Sequence, residues 1–226
     1  MGALVGIRAC VFDAYGTIFD FATATSRCRD IPDEKRAALS TLWRDKQLQY
    51  TWLRTLQGRY ADFWQVTSDA LEFALDSLDL SDAKLHGRLM DLYLTISVFP
   101  EVPQVLRQLR QSGLVTAILS NGSPAMLDAA VRNAALEDQF DAVLSADTVR
   151  HFKTHPLVYE YALQRLALAA EQVCFLSSNA WDAFAASAFG MRVIWCNRYG
   201  QKRERLPGTP DYEVRSLAEV PALLTT

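Results

Sequence analysis

The sequence predicts an α/β protein: a doubly wound, Rossmann-like parallel sheet with an all-helical cap inserted after its first strand. Two observations predict the sheet: short apolar runs alternate with helical patterns, and the runs stop at polar side chains. A third predicts the insertion, because no strand-like run is found between residues 22 and 98. The predicted domains are an α/β core, residues 1–21 plus 99–226, and a helical cap, residues 22–98.

Four apolar runs have the length and composition of buried parallel strands, and a fifth is weaker. They cover residues 7–12, 115–119, 173–176 and 193–196, with the weaker run at 142–144. The tail, "GTPDYEVRSLAEVPALL", predicts a closing strand or loop and then a short helix.

Helical patterns fill the connections between these strands. "EVPQVLRQLRQSG" places Val102 and Val105 on one apolar face and stops at Gly113. Ser123 and His155 each precede a proline, which is typical of an N-cap followed by the first helical residue. A further short helix is predicted over residues 181–189.

The inserted segment contains only helical patterns. Its first helix is predicted from one stripe of side chains: Leu42, Lys46, Gln49, Leu53, Leu56, Tyr60 and Phe63. Residues 71–78 and 85–94 predict further helices.

Composition and charge exclude several classes of protein. The net charge is −3 without a basic stripe, so nucleic acids and anionic membranes are not expected partners. The four cysteines lack metal-ligand spacing, and no apolar stretch is long enough for a membrane span. The first apolar run carries Arg8 and ends at Asp13 instead of a small-residue cleavage site, so we expect a cytoplasmic protein.

Polar residues follow four of the predicted elements on the side where ligands of a parallel sheet bind. Asp13 ends the first strand, and Ser120 and Asn121 end the second. Lys153 lies just before the helix that starts at His155, and "SSNAWD", residues 177–182, ends the next strand. These segments should therefore meet at one edge of the sheet.

Each of these side chains also has a purely structural explanation. Asp13 could cap a turn, Ser120 and Asn121 could satisfy the following helix, and Lys153 could be a surface lysine. The amide and acid of "SSNAWD" could be a helix cap and a first-turn acid. An acid, a Ser–Asn pair, a lysine and a second acid at successive strand–helix junctions favour a functional site instead.

The motifs "FDAYGT", "LSNGS", "FKTHP" and "SSNAWD", in this order, resemble the haloacid dehalogenase superfamily across the whole chain. More narrowly, the sequence resembles the L-2-haloacid dehalogenases. The specific marks are a tyrosine two residues after the acid, "SNGSP", the Lys-x-His-Pro link and "SSNAWD". In addition, "WRDKQLQYTWLRTLQGRYADFW" resembles the helical cap of those enzymes.

Tyr15 separates this chain from the phosphatase branch, where a second acid protonates the leaving group and Mg²⁺ offsets charge. A halide leaving group needs no proton, so loss of that acid is compatible with dehalogenation. A phosphate dianion would also be repelled by Asp13, at about 4 kcal/mol per pair of charges ~4 Å apart. The resemblance thus implies metal-independent hydrolysis of (S)-2-haloacids to (R)-2-hydroxyacids, with no cofactor.

The resemblance also implies roles in the first step. Asp13 attacks C2 of the haloacid from the back, inverts it and becomes an ester. Ser120 and nearby backbone N–H groups bind the substrate carboxylate, while Lys153 keeps Asp13 ionised. Arg44 and Asn121 receive the halide.

In the second step, water attacks the ester carbonyl of Asp13. The expected activator is Asp182, held near Lys153 and Ser177, with Asn179 orienting the water. The other implied site residues support this network or form an apolar wall: Thr17 and Tyr159, and Tyr15, Leu48, Phe63 and Trp181. Three departures from the family pattern leave the preferred substrate size and halogen open: Asp45 for glutamine, Thr154 for proline, and "ISVFPEVP" where Tyr-Pro is more usual at the cap exit.

Two rival functions stay open at this point. One is a small-substrate phosphohydrolase or phosphonate-cleaving relative, and the other is a non-catalytic member that binds a small acid or a protein. Serine-hydrolase and dinucleotide-binding functions are not expected, since Gly-x-Ser-x-Gly and Gly-x-Gly-x-x-Gly motifs are absent from the sequence. The expected partners are a 2-haloacid, the halide product and, from the resemblance, a second copy of the chain.

Overall fold

The computed structural model describes residues 2–225 and has a six-stranded parallel sheet with helices on both faces. Its strands are β1 Leu4–Val5, β2 Ala9–Phe12, β3 Phe19–Asp20, β4 Ser97–Val98, β5 Val115–Ser120, β6 Ala142–Ser145, β7 Val173–Ser177, β8 Arg192–Cys196, β9 Tyr212–Val214 and β10 Leu224–Thr225. Its α-helices are α1 Thr23–Arg27, α2 Asp33–Leu56, α3 Phe63–Ser77, α4 Ala83–Leu94, α5 Val102–Gln111, α6 Pro124–Asn133, α7 Pro156–Leu166 and α8 Ala180–Phe189.

The main sheet has the strand order β6-β5-β2-β7-β8-β9, so the predicted α/β class is confirmed. Each of the five predicted runs forms a strand, and the tail adds the edge strand β9. The predicted terminal helix is the 3-10 helix Leu217–Leu223. All four residues of β2 are buried because β2 lies between β5 and β7 and both of its faces are covered. The end of β2 is therefore the centre of the sheet's carboxyl edge.

The inserted segment contains α1 to α4, but it also contains a strand where the sequence predicts none. Ser97–Val98 forms β4 and pairs antiparallel with β3, joining the two connections between the segment and the sheet. A two-residue strand has no periodicity to detect, so this pairing is not visible in the sequence.

The stripe of side chains predicted for the first long helix is wrong in two respects: the helix ends earlier, and its buried face is a different one. α2 stops at Leu56, and Phe63 begins α3 after Asp62, whose carboxylate accepts a hydrogen bond from the backbone N–H of Gln65 at 2.9 Å. Leu56 is 84% exposed. The buried face of α2 is instead formed by Leu39, Trp43, Gln47 and Thr51.

Close packing of α2 against α3 supports this buried face. Trp43 Nε1 donates a hydrogen bond to the carbonyl of Thr67 on α3 at 2.9 Å, and Gln47 Nε2 donates one to Thr67 Oγ1 at 2.7 Å. Full burial of a leucine such as Leu39 contributes about 1.5–3 kcal/mol. Across residues 2–225, none of the helices has the length and apolarity needed to cross a membrane.

Candidate active site

Asp13 directly follows β2, and its carboxylate is held by three side chains from separate segments. Oδ1 accepts a hydrogen bond from Lys153 Nζ at 3.0 Å. Oδ2 accepts one from Thr17 Oγ1 at 2.9 Å and one from Asn179 Nδ2 at 2.8 Å. Donors on both oxygens fix the orientation of the carboxylate.

Lys153 joins this carboxylate to a second one. Its ammonium lies 2.8 Å from Asp182 Oδ2 as well as 3.0 Å from Asp13 Oδ1, and the side chain is 1% exposed. Burial lowers the pKa of Lys153, but the attraction of Asp13 and Asp182 is larger and raises this pKa above its ordinary value. Two carboxylates and one ammonium carry a net charge of −1, so Lys153 does not fully neutralise the cluster. A carboxylate oxygen therefore keeps negative charge and can act as a nucleophile.

Asp182 is fully buried at the start of α8. Oδ1 accepts a hydrogen bond from Tyr159 OH at 2.7 Å, and Oδ2 accepts one from Ser177 Oγ at 3.2 Å. Burial raises the pKa of Asp182 to about 6, although Lys153 opposes this shift and the negative charge of Asp13 adds to it. A carboxylate with such a pKa is a stronger base than an ordinary aspartate and stays largely ionised at pH 7.

The loop between β7 and α8 fixes the position of Asp13 Oδ2. The backbone N–H of Ser178 donates to Thr17 Oγ1 at 2.7 Å, so the Thr17 hydroxyl is free to donate its own proton to Asp13. Asn179 also donates to the carbonyl of Tyr15 at 3.1 Å. The "SSNAWD" loop therefore orients Oδ2 of Asp13 through Thr17 and Asn179, while Lys153 binds Oδ1.

Tyr15 occupies the place of the second acid and is buried among aromatic rings. Its ring centroid lies 5.9 Å from that of Phe63 and 5.2 Å from that of Tyr93. Burial raises the pKa of Tyr15 well above its ordinary value, so the phenol is a poor proton donor to a leaving group. A Cβ on Gly122 would lie 2.9 Å from the Tyr15 ring, and only glycine at that position leaves room for the ring.

Ser120 and Asn121 lie at the end of β5, next to Lys153. Ser120 Oγ accepts a hydrogen bond from the backbone N–H of Gly122 at 3.1 Å. Asn121 Oδ1 accepts one from the backbone N–H of Lys153 at 2.8 Å, which ties the lysine segment to the sheet edge. Ser123 then caps α6, as the sequence predicts.

A cavity of about 540 Å³ lies between α2 of the inserted segment and the "SSNAWD" loop. Arg44, Leu48, Asn179 and Trp181 all line it. Arg44 Nη2 donates to Asn179 Oδ1 at 3.3 Å, so the guanidinium is one side chain away from Asp13. The structure thus brings Arg44 to the catalytic edge from a helix far away in sequence.

Several residues near the site are missed by the sequence analysis. Phe21 and Trp52 line the cavity, Gln47 and Tyr93 lie beneath Arg44, and Tyr60 donates a hydrogen bond to Asp147. Only Gln47 has a sequence signal, because it shares the i, i+4 spacing of Leu39, Trp43 and Thr51.

The arrangement is suited to nucleophilic attack by a carboxylate followed by hydrolysis. Asp13 is the nucleophile candidate, Lys153 places a cation 3.0 Å from it, and Asp182 is the base candidate. Within residues 2–225, no group of three or more His, Cys, Asp or Glu side chains is arranged to hold a metal ion.

Comparisons with known proteins agree with this geometry. A family model for haloacid dehalogenase-like hydrolases matches residues 7–190. The chain is 47% identical to the (S)-2-haloacid dehalogenase of Pseudomonas sp. (strain YL), over 97% of this chain and 95% of that protein. It is 44% identical to (S)-2-haloacid dehalogenase 4A of Burkholderia cepacia, over 96% of this chain and 95% of that one.

A solved structure extends the likeness to the fold. The L-2-haloacid dehalogenase from Xanthobacter autotrophicus, with chloropropionic acid covalently bound, superposes with a TM-score of 0.90 at 36% identity. The match covers 96% of this chain and 98% of that chain.

Proposed function

The chain belongs to the haloacid dehalogenase-like hydrolases, and from this premise we propose that it hydrolyses (S)-2-haloacids to (R)-2-hydroxyacids without a metal. One observation carries the proposal. Asp13 is held by Lys153, Thr17 and Asn179 while the aromatic Tyr15 replaces a second acid. The site thus has a nucleophile and lacks a carboxylic acid at Tyr15 for protonating a leaving group, which suits a halide.

In the first step, a carboxylate oxygen of Asp13 attacks C2 of the haloacid opposite the halogen. A C–O bond forms as the carbon–halogen bond breaks, and the halide leaves with the bonding electron pair. Attack from the back inverts C2 and leaves an ester on Asp13. Arg44 and Asn121 stabilise the departing halide, and Ser120 with nearby backbone N–H groups binds the substrate carboxylate.

In the second step, water attacks the ester carbonyl carbon of Asp13. Asp182 accepts a proton from this water, and Asn179 orients it. The tetrahedral intermediate then expels the 2-hydroxy acid, whose oxygen takes up a proton, and the Asp13 carboxylate is restored. The balance is one haloacid and one water giving one hydroxy acid, one halide and one proton.

The absence of a metal is proposed on the charge of the cluster. Lys153 already places a cation 3.0 Å from Asp13 and 2.8 Å from Asp182. It thereby offsets the negative charge of the carboxylates, as a divalent metal ion would. The phosphohydrolase alternative requires an acid to protonate an ester oxygen, and the buried Tyr15 phenol is a weak candidate for that role.

A panel of fluoro-, chloro- and bromo-substituted 2-haloacids, assayed in EDTA, tests the proposal. We expect halide release from (S) substrates, with (R)-2-hydroxyacid as the product by chiral chromatography. Complete inhibition by EDTA, or release of phosphate from small esters only when Mg²⁺ is added, would favour the phosphohydrolase instead.

The raised pKa of Asp182 predicts how activity depends on pH. Since the ionised form is the base of the hydrolysis step, which follows halide release, kcat should fall about tenfold per pH unit below about pH 6. Lys153, whose pKa is raised above its ordinary value by Asp13 and Asp182, should stay charged through the alkaline range. Halide release measured from pH 4.5 to 10 at constant ionic strength, with circular dichroism to verify folding, checks both limbs. A flat profile down to pH 4.5 would remove Asp182 from the role of base.

We also propose that residues 22–98 act as a cap over the site and that the protein is a cytoplasmic homodimer. The cap is supported by Arg44, which reaches Asn179 from α2. The dimer is supported by the exposed apolar side chains of Trp52, Leu53 and Leu56 on α2. The four free, buried cysteines are consistent with a reducing compartment.

A further inference from the structure

A buried amide lies directly beneath Arg44 in the inserted helical segment. Gln47 is 1% exposed, and its Oε1 accepts a hydrogen bond from Arg44 Nη1 at 2.6 Å. Its Nε2 donates to Thr67 Oγ1 at 2.7 Å and to Tyr93 OH at 3.1 Å. A long polar side chain with so little exposure is unusual unless its hydrogen bonds are all made, and here each polar atom has a partner.

Two neighbours independently fix which way this amide points. The Thr67 hydroxyl donates its proton to the carbonyl of Phe63 at 2.6 Å, so it must accept from Gln47. The Arg44 guanidinium has only donors, so it must receive the carbonyl end of the same amide. Both conditions place Gln47 Oε1 against Arg44, and the amide cannot flip without breaking both contacts.

The partner of Arg44 is also electrically neutral. Among residues 2–225, Arg44 forms no ion pair with a carboxylate; its polar contacts are the two amide oxygens of Gln47 and Asn179. Its guanidinium lies over the Phe21 ring at 5.0 Å. A neutral acceptor orients the guanidinium but leaves its full positive charge available to an anion in the cavity, whereas a carboxylate would neutralise that charge.

We propose that Gln47 is a positioning residue that aims Arg44 at the departing halide and keeps its charge unneutralised. This inference rests on the proposed dehalogenation. Gln47 acts through Arg44 alone, one turn along α2, and Thr67 and Tyr93 hold Gln47 in turn. Leaving-group stabilisation should therefore depend on Gln47, while binding of the substrate carboxylate at Ser120 should not.

The test is Gln47→Glu, which keeps the size of the side chain and places a carboxylate against Arg44. Single-turnover halide release should slow about 10- to 100-fold, part of what an aimed donor contributes. The loss should be larger for a 2-chloro acid than for a 2-bromo acid, because chloride is the poorer leaving group. Inhibition by added bromide should weaken, whereas KM should change less than kcat.

A matched control makes the same substitution on the same helix. Gln49 is exposed and accepts a hydrogen bond from Lys46, so Gln49→Glu adds the same charge without touching Arg44. We expect wild-type kinetics from this variant. An equal loss in both variants would mean that the charge of the helix matters and would overturn a role specific to Gln47.

A second variant covers the case in which Gln47→Glu does not fold. Thr67→Val keeps the shape of the side chain but removes the acceptor that fixes the Gln47 amide. A smaller slowing, again larger for chloride than for bromide, is the expected result. If wild type releases halide and every variant that folds matches it for both leaving groups, the inference is wrong and the proposed function stands. If wild type releases no halide from any 2-haloacid, the proposed function fails and this inference fails with it.

Discussion

Replacing Asp13 with asparagine is expected to abolish halide release while leaving the protein folded. Loss of the covalent nucleophile should lower kcat by about 10⁴-fold or more, because only binding and positioning remain. Stability should change little: Asp13 and Asp182 share one lysine, so neutralising Asp13 relieves repulsion and leaves the Lys153–Asp182 pair intact. Against this, the new amide places N–H groups near other donors, so we expect a net change within about 2 kcal/mol. Halide release and urea unfolding measure the two effects.

The matched control is Asp128→Asn on α6, where the carboxylate is exposed and, among residues 2–225, forms an ion pair only with Arg132. It should retain wild-type activity. Halide release at an undiminished rate by Asp13→Asn would remove Asp13 from the role of nucleophile.

Replacing Lys153 with methionine should damage both activity and stability. Removal of the shared cation leaves two buried carboxylates without a compensating positive charge, which should cost about 3–5 kcal/mol in the free energy of unfolding. Halide release should fall about 10³-fold or more, because the cation that offsets the negative charges of Asp13, Asp182 and the substrate carboxylate is lost. The cluster thus predicts a small change in stability for Asp13→Asn and a large loss for Lys153→Met.

The instability of Lys153→Met should also depend on pH. Without the lysine, the folded-state pKa of Asp182 rises further above its unfolded value, so the folded state binds protons more tightly than the unfolded chain. The loss of stability relative to wild type should therefore be smaller at pH 5 than at pH 8, as measured by urea unfolding at both values. Lys84→Met, which changes an exposed lysine on α4, is the control. An equal loss at both pH values would show that the lysine contributes packing and not charge.

The sequence could predict those site residues that directly follow a strand. Asp13, Ser120 and "SSNAWD" could be placed because each follows an apolar run, and parallel strands bring their carboxyl ends to one edge. Tyr15 could be interpreted because it lies two residues after Asp13, so the chain itself keeps the two residues close together. These features are local, and a single chain displays them directly.

The remaining features depend on contacts between segments far apart in sequence. The pairing of β3 with β4 involves only two residues on each strand, and the buried face of α2 is set by its packing on α3. The spacing of Gln47 along α2 indicates burial only; its role follows from Arg44, Thr67 and Tyr93 meeting around it. The roles assigned to the site residues, and the domain bounds, stay predictions.

The central claim is that Asp13 forms the ester, and a single turnover in H₂¹⁸O tests it most directly. With enzyme in excess over (S)-2-chloropropionate, water should attack the carbonyl carbon of the ester. We predict one ¹⁸O in the Asp13 carboxylate, located by mass spectrometry of the peptide containing it, and unlabelled oxygen in the 2-hydroxyl group of the product. Label in that hydroxyl group and none in Asp13 would mean that water attacks the substrate directly, and it would contradict the account.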